Sequence, residues 1–383
     1  MTDMTTARAI LETLIAFDTT SRGSNLALIE WVEAYLAKHG VASQRIPDET
    51  GEKANLIASC GPPAAGGMIL SGHSDVVPVD GQDWTSEPWT LRESEGRLYG
   101  RGTSDMKGFI ALALAFVPRF VAGRVPVHLA ISYDEEVGCK GAPAMIARLR
   151  DRLPAPRLAI VGEPTSMRIV TGHKGICVHE VRVRGVEAHS SLVDHGLSAN
   201  TIAVELMHAL VELARELREG ADPASGFAPP FPTLTIGVME GGEAANILAG
   251  HARFQFDLRC PPGHDPGMIL APFVALCAEK DREAKARFAD AGVSIERLAD
   301  APALDGAGSA DAVAFVRRLT GENAPPANVS YATEGGQFSA AGFPTVICGP
   351  GSIEQAHQPD EWIALDQIEA GLRFMERLAE ELS

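Results

Sequence analysis

The chain is poor in cysteine and sets none of it in a pattern. Its six, Cys60, Cys139, Cys177, Cys260, Cys277 and Cys348, include no Cys-x-x-Cys pair. That argues against a zinc ribbon or a dithiol redox motif and points to reduced thiols in a cytoplasmic compartment. Basic residues are scarce too: 33 Lys and Arg stand against 50 Asp and Glu, a formal charge of −17. Phosphate backbones select basic faces, so no nucleic-acid partner is expected. Long apolar runs are missing. The longest, Phe109 to Pro118, runs into Arg119 and falls well short of the roughly 20 residues that span a bilayer, so no membrane partner is expected either. The first twenty residues carry Asp3, Glu12 and Asp18 and lack a basic start with an apolar core, which argues against a signal peptide. There is no internal repeat and no low-complexity tail. At 383 residues, 45% hydrophobic and 22% charged, the chain has the make-up of a globular protein with room for two cores.

Apolar periodicity predicts helices over Thr5–Phe17 and Leu26–His39, the second ending at Gly40, and a buried helix over Gly108–Val121 that comes directly after Asp105. Met68–Ser71, Val125–Tyr133 and Arg157–Val161 read as covered strands, each followed by a polar group: His73 and Asp75, then Asp134-Glu135-Glu136, then Glu163. Strands alternating with helices predict an α/β catalytic domain with an open mixed sheet covered by helices and a site at one edge. The middle of the chain differs. Cys177–Arg184, Leu234–Val238 and His251–Cys260 read as strands, and the last alternates Phe254, Phe256 and Leu258 with Arg253, Gln255, Asp257 and Arg259. With helices over Ala199–Arg218 and from Pro266 to about Arg287, this is the plan of a split βαβ (ferredoxin-like) domain. The α/β plan resumes with a helix over Asp311–Leu319, a strand over Pro344–Cys348 and a helix over Leu365–Leu382. The expected organisation is a catalytic domain of residues 1–175 and 300–383 interrupted by an inserted domain of residues 176–299.

The polar groups at the strand ends form a set. His73-Ser74-Asp75 puts two side chains on the same side of an extended backbone, so the His can hold a metal while the Asp accepts its other N–H. Asp105 lies in Gly102-Thr103-Ser104-Asp105-Met106-Lys107-Gly108, where glycines allow close approach and a carboxylate can bridge two cations. The adjacent acids Glu135 and Glu136 repel each other, which two cations would relieve; one can then bind metal while the other takes a proton from water. Glu163 comes directly after an apolar strand, where a buried charge needs a partner. With His357 added, these residues offer two imidazoles and several carboxylates, a donor set suited to two divalent cations, zinc first and cobalt second. Arg259, on the polar face of its strand, can hold a substrate carboxylate through two hydrogen bonds. Asn246, in the loop Gly241–Asn246, can help polarise an amide carbonyl. Glu334-Gly335-Gly336 is a further glycine-rich loop expected to line a pocket. Gly172-His173-Lys174-Gly175 lacks the spacing and the Ser/Thr of a phosphate loop, which argues against a nucleotide-dependent phosphotransferase.

These motifs resemble the dinuclear zinc amidohydrolases that include aminoacylase, carboxypeptidase G, succinyl-diaminopimelate desuccinylase and acetylornithine deacetylase. The resemblance covers essentially the whole chain. It implies that His73, Asp105 and Glu163 hold one metal and Asp105, Glu136 and His357 the other. It further implies that Glu135 is the general base, Asp75 the hydrogen-bond partner of His73, and His189 a group that reaches the oxyanion. Gly349–Glu361, Gly172–Gly175 and Ala188-His189-Ser190-Ser191 are similar to the acetylornithine deacetylase branch. The resemblance therefore implies a hydrolase of a small N-acyl amino acid, N-acetylornithine first, with N-acetylcitrulline, N-succinyl-diaminopimelate and other N-acyl amino acids as alternatives. The inserted domain is expected to act as a lid and to offer a homodimer contact. A non-catalytic binding protein on the same fold would have no use for Glu135.

Overall fold

The computed structural model describes residues 4–306 and 310–383. The chain divides into two compact units, one formed by Met1–His173, Leu304–Asn328 and Thr333–Ser383, the other by Lys174–Ala303 and Val329–Ala332.

The first unit is built on an eight-stranded sheet. Its strands run, edge to edge, Ser43–Pro47, Ala54–Cys60, Val127–Ser132, Met68–His73, Leu158–Val161, Thr345–Ile347, Val170–His173 and Ala327–Val329. Four of these, Val127–Ser132, Met68–His73, Leu158–Val161 and Thr345–Ile347, pair in parallel. All four are buried along their whole length, which is why they are mostly apolar without the alternation of a half-exposed strand. Parallel strands point their carboxyl ends to one edge, and there an open α/β sheet collects its ligands. The helix Lys107–Ala115 is buried at every residue and packs hard against that edge: a β-carbon at Gly162 would come within 2.1 Å of the Phe109 ring. The expected helix over Gly108–Val121 breaks at Phe116, where Pro118 enters a second short helix, Val117–Val121. The strands Arg92–Ser94, Arg97–Tyr99 and Trp362–Ala364 make a small separate sheet that the sequence did not predict.

The second unit carries a four-stranded antiparallel sheet in the order Thr233–Gly241, His251–Cys260, Gly175–Arg184, Gly292–Ala301. Helices Ala199–Glu219 and Pro266–Arg287 complete the split βαβ plan. Val181, Val183, Phe254, Phe256 and Leu258 form its core, as the alternation of His251–Cys260 predicts. Among the described residues no helix is long and apolar enough to cross a membrane.

One buried group in the large sheet makes stability depend on pH. His128, on Val127–Ser132, is 3% exposed; its Nδ1 lies 2.8 Å from Ser59 Oγ, and its Nε2 has no hydrogen-bond partner among the described residues. Burial pushes its pKa down to about 4. An unfolded His takes up its proton near ~6.5. The unfolded chain therefore binds the proton first, and stability holds above that pH and falls as pH drops toward 4, by about 3 kcal/mol at the lower limit. In denaturant titrations at pH 7 and 4.5, His128→Leu is expected to lose less stability on acidification than the wild type. Equal losses would show that His128 is not the group responsible.

Candidate metal centre

The parallel strands set the candidate ligands at one edge. Met68–His73 ends on His73 itself, Val127–Ser132 leads into the turn that holds Glu135 and Glu136, and Leu158–Val161 is followed through Gly162 by Glu163. Two residues arrive by other routes. Asp105 lies in the turn before Lys107–Ala115 rather than at a strand end, and His357 lies in the loop after Thr345–Ile347 with a left-handed backbone, φ 62°.

These residues meet. His73 Nε2 is 3.0 Å from Asp105 Oδ1 and 4.0 Å from Glu163 Oε1. His357 Nε2 is 3.0 Å from Glu136 Oε2 and 3.5 Å from Asp105 Oδ2. Asp105 thus turns one oxygen toward each histidine. Among the described residues two sets of three donors have their ligand atoms within 4.8 Å of one another: His73, Glu135 and Glu163, and His73, Asp105 and Glu136. His357 belongs to neither set; its side chain is half exposed while the acids around it are buried.

Asp75 differs from expectation. His73 Nδ1 pairs at 2.8 Å with the backbone carbonyl of Asp75, while the carboxylate is 3.7 Å away. The carboxylate is drawn off by three donors: Ser21 Oγ at 2.7 Å, Glu135 N at 3.1 Å and Glu136 N at 3.2 Å. Its place is under the turn that presents the two glutamates.

Electrostatics make this cluster costly for the bare chain. Burial pushes Glu135 up to about 8, against the pull of His73 and with the help of Glu136; burial and Asp105 push Glu136 up to about 7. Burial, Asp105 and Glu135 hold Glu163 well above the usual carboxylate range. Burial opposes the charge on Asp105 also, but hydrogen bonds from His357 and His73 outweigh it and keep its carboxyl low. Glu136 Oε1 and Glu163 Oε1 are buried without a hydrogen-bond partner among the described residues. Buried carboxylates of this kind need a counter-charge. Oxygen and imidazole donors at this spacing fit divalent cations of the zinc class.

The family model of peptidase family M20/M25/M40 matches residues 69–381. The chain belongs to this family. Members are metal-dependent hydrolases, typically dinuclear. Over 372 residues the chain is 37% identical to an acetylornithine deacetylase of Myxococcus xanthus, covering 94% of this chain and 93% of that protein. It is 36% identical over 375 residues to an acetylornithine deacetylase of Proteus mirabilis, covering 95% and 92%. In fold it is similar to an M20 family metallo-carboxypeptidase from Sulfolobus solfataricus, with a TM-score of 0.75 and 18% identity over 98% of each chain. An aminopeptidase from Bacillus cereus matches with a TM-score of 0.73 and 18% identity over 99% of each chain.

In this M20 chain the second unit gathers some of the expected substrate groups. The loops of His189 and Asn246 are joined by hydrogen bonds from Ser190 N to Asn246 O at 2.9 Å and from Leu248 N to Ala188 O at 2.8 Å. His189 Nδ1 faces both Ser191 N, at 3.2 Å, and Ser191 Oγ, at 2.8 Å. A backbone N–H can only donate, so Nδ1 accepts and the proton of the neutral ring sits on Nε2. Arg259 lies on another strand, its Nε donating to Asp257 Oδ2 at 2.7 Å, which holds the guanidinium and leaves its two terminal nitrogens to other partners.

Cys139 and Glu361 were given no role from the sequence, and Glu334 was placed only in a pocket-lining loop. The Cys139 thiol donates to Glu135 Oε1 at 3.3 Å; a cysteine within four residues of the paired glutamates was the available signal. Glu334, in the glycine-rich loop expected to line the pocket, is buried and accepts from Ser71 Oγ at 3.2 Å. Glu361 accepts backbone hydrogen bonds from the Asp105 turn. It closes the segment read only for its likeness to one branch.

Proposed function

We propose that the chain hydrolyses N2-acetyl-L-ornithine to L-ornithine and acetate with two divalent cations, zinc first and cobalt second. The reaction class is carried by the buried, unpartnered oxygens of Glu136 and Glu163 beside Asp105. The substrate rests on the curated relatives, named acetylornithine deacetylase and spanned by the chain nearly end to end.

His73, Asp105 and Glu163 would hold one cation, and Asp105, Glu136 and His357 the other. Bound divalent cations supply charge that acidifies water and polarises an acyl oxygen. Glu135 takes a proton from the attacking water and passes it to the leaving nitrogen as the amide C–N bond breaks and a C–O bond forms. The Asp75 carboxylate fixes the backbone from which Glu135 and Glu136 project, and the Asp75 carbonyl fixes the ring of His73. Residues 176–299 serve the substrate: the Nε2 proton of His189 stabilises the oxyanion, Asn246 polarises the amide carbonyl and Arg259 receives the α-carboxylate. The unbridged, buried cysteines support a reducing, cytoplasmic setting.

Acetate release is expected to vanish on chelation and to return with Zn²⁺ or Co²⁺. Of N-acetylornithine, N-acetylcitrulline, N-acetylmethionine and N-succinyl-diaminopimelate, the first is expected to give the highest kcat/KM. A clear preference for another would overturn the substrate and leave the metal chemistry standing. Activity on N-acetylornithine untouched by removal of the metal would overturn the metal chemistry and leave the substrate standing.

A further inference from the structure

Glu361 and Arg101 form an ion pair in which each side chain is 1% exposed. A buried carboxylate is stable only when its lone pairs are met, and here they are. Glu361 Oε2 accepts from Arg101 Nη1 and Gly102 N, both at 2.8 Å; Oε1 accepts from Ser104 N at 2.8 Å and Asp105 N at 3.0 Å. Three of these donors are backbone groups of the turn that presents Asp105. Arg101 continues outward: its Nη2 donates to Gln82 Oε1 at 2.6 Å. Trp84 Nε1 donates to the same oxygen at 3.0 Å. With two donors on Oε1, the amide of Gln82 has only one orientation, and its Nε2 faces the carbonyl of His357 at 3.1 Å. His357 holds a left-handed backbone, which for a residue with a β-carbon needs support from its surroundings.

We infer that Glu361, Arg101 and Gln82 are positioning residues that set Asp105 and His357 relative to each other, and that Gln82 is the link that fixes His357 for the cation it shares with Asp105 and Glu136. This rests on the proposal that those three residues hold one ion. The ion pair fixes the Asp105 turn from inside. Gln82, part-exposed on its loop, carries that fixed geometry across to a histidine whose own side chain is half exposed. Hydrogen bonds of this kind, one bond removed from a metal ligand, are worth about 10- to 100-fold in metal affinity.

The test uses the full chain, stripped with a chelator and titrated with Zn²⁺ or Co²⁺ alone, by calorimetry and by the Co²⁺ absorption spectrum. Gln82→Leu removes all three contacts, with Arg101, Trp84 and His357. Gln82→Glu keeps the acceptor for Arg101 and Trp84 but sets an oxygen against the His357 carbonyl. Wild type is expected to bind two ions. Both variants are expected to bind one with unchanged affinity and the second about 10- to 100-fold more weakly, with an altered Co²⁺ spectrum and unchanged thermal unfolding of the stripped protein. Two ions held at wild-type affinity by either variant would overturn the inference. So would equal weakening of both ions, or a large fall in the melting temperature of the stripped protein, since a merely structural residue would give those results. Wild type binding fewer than two ions would overturn the inference and the two-ion proposal together.

Discussion

Glu135→Gln is expected to keep both metal ions and to lose about 10²- to 10⁴-fold in kcat for N-acetylornithine, the range general-base catalysis commonly supplies. The exchange preserves shape, so the hydrogen bond from Glu135 N to Asp75 and the neighbouring donors keep their places. What it removes is a group able to take a proton. Glu135 differs from Glu136 in its partners. Glu136 lies 3.0 Å from His357 Nε2, whereas Glu135 Oε1 accepts from the weak thiol donor of Cys139. A carboxylate so loosely held can turn to water. Metal analysis and single-turnover acetate release on the purified variant decide the matter: activity within a few-fold of wild type removes Glu135 from the role of base, and lost metal makes it a ligand.

His189→Ala is expected to lower kcat about 10²- to 10³-fold, the cost of deleting one oxyanion donor, with KM changed far less and metal content unchanged. The ground for this is the tautomer. The backbone N–H of Ser191 forces Nδ1 to accept, so Nε2 presents an N–H, which suits an oxygen gaining negative charge. A fall in bound metal would instead place His189 among the ligands. An unchanged kcat would remove it from the reaction altogether.

The parallel strands at the centre of the sheet were legible because burial on both faces leaves short apolar stretches without alternation, as in Met68–Leu70 and Leu129–Ile131. His251–Cys260 was legible for the opposite reason, since one buried face produces alternation. The strands Arg92–Ser94, Arg97–Tyr99 and Trp362–Ala364 are three residues each, too short to display either pattern. Within the site, residue types at strand ends pointed to His73, Glu135, Glu136 and Glu163, which the fold brings together with Asp105 and His357. The partner of His73 was misjudged at the level of the atom. Which oxygen of Asp75 faces the ring depends on Ser21 and on two backbone N–H groups near residue 135, and no local spacing encodes such donors. Glu361 was invisible for the same reason: its four donors lie between residues 101 and 105.

The parallel pairing of Leu158–Val161 with Thr345–Ile347 governs the order in which a growing chain can assemble. Residues Lys174–Ala303 form a contiguous stretch with its own core and can fold as soon as they leave the ribosome. The large sheet cannot. Until residue 347 is made, Leu158–Val161 stands as an uncovered apolar edge, open to pairing with other chains. Through that interval the acids near residues 105, 135 and 163 also lack His357. A chain stopped near residue 335 would therefore carry a finished second unit beside an open sheet edge prone to aggregation, with its last metal-site donor still unmade.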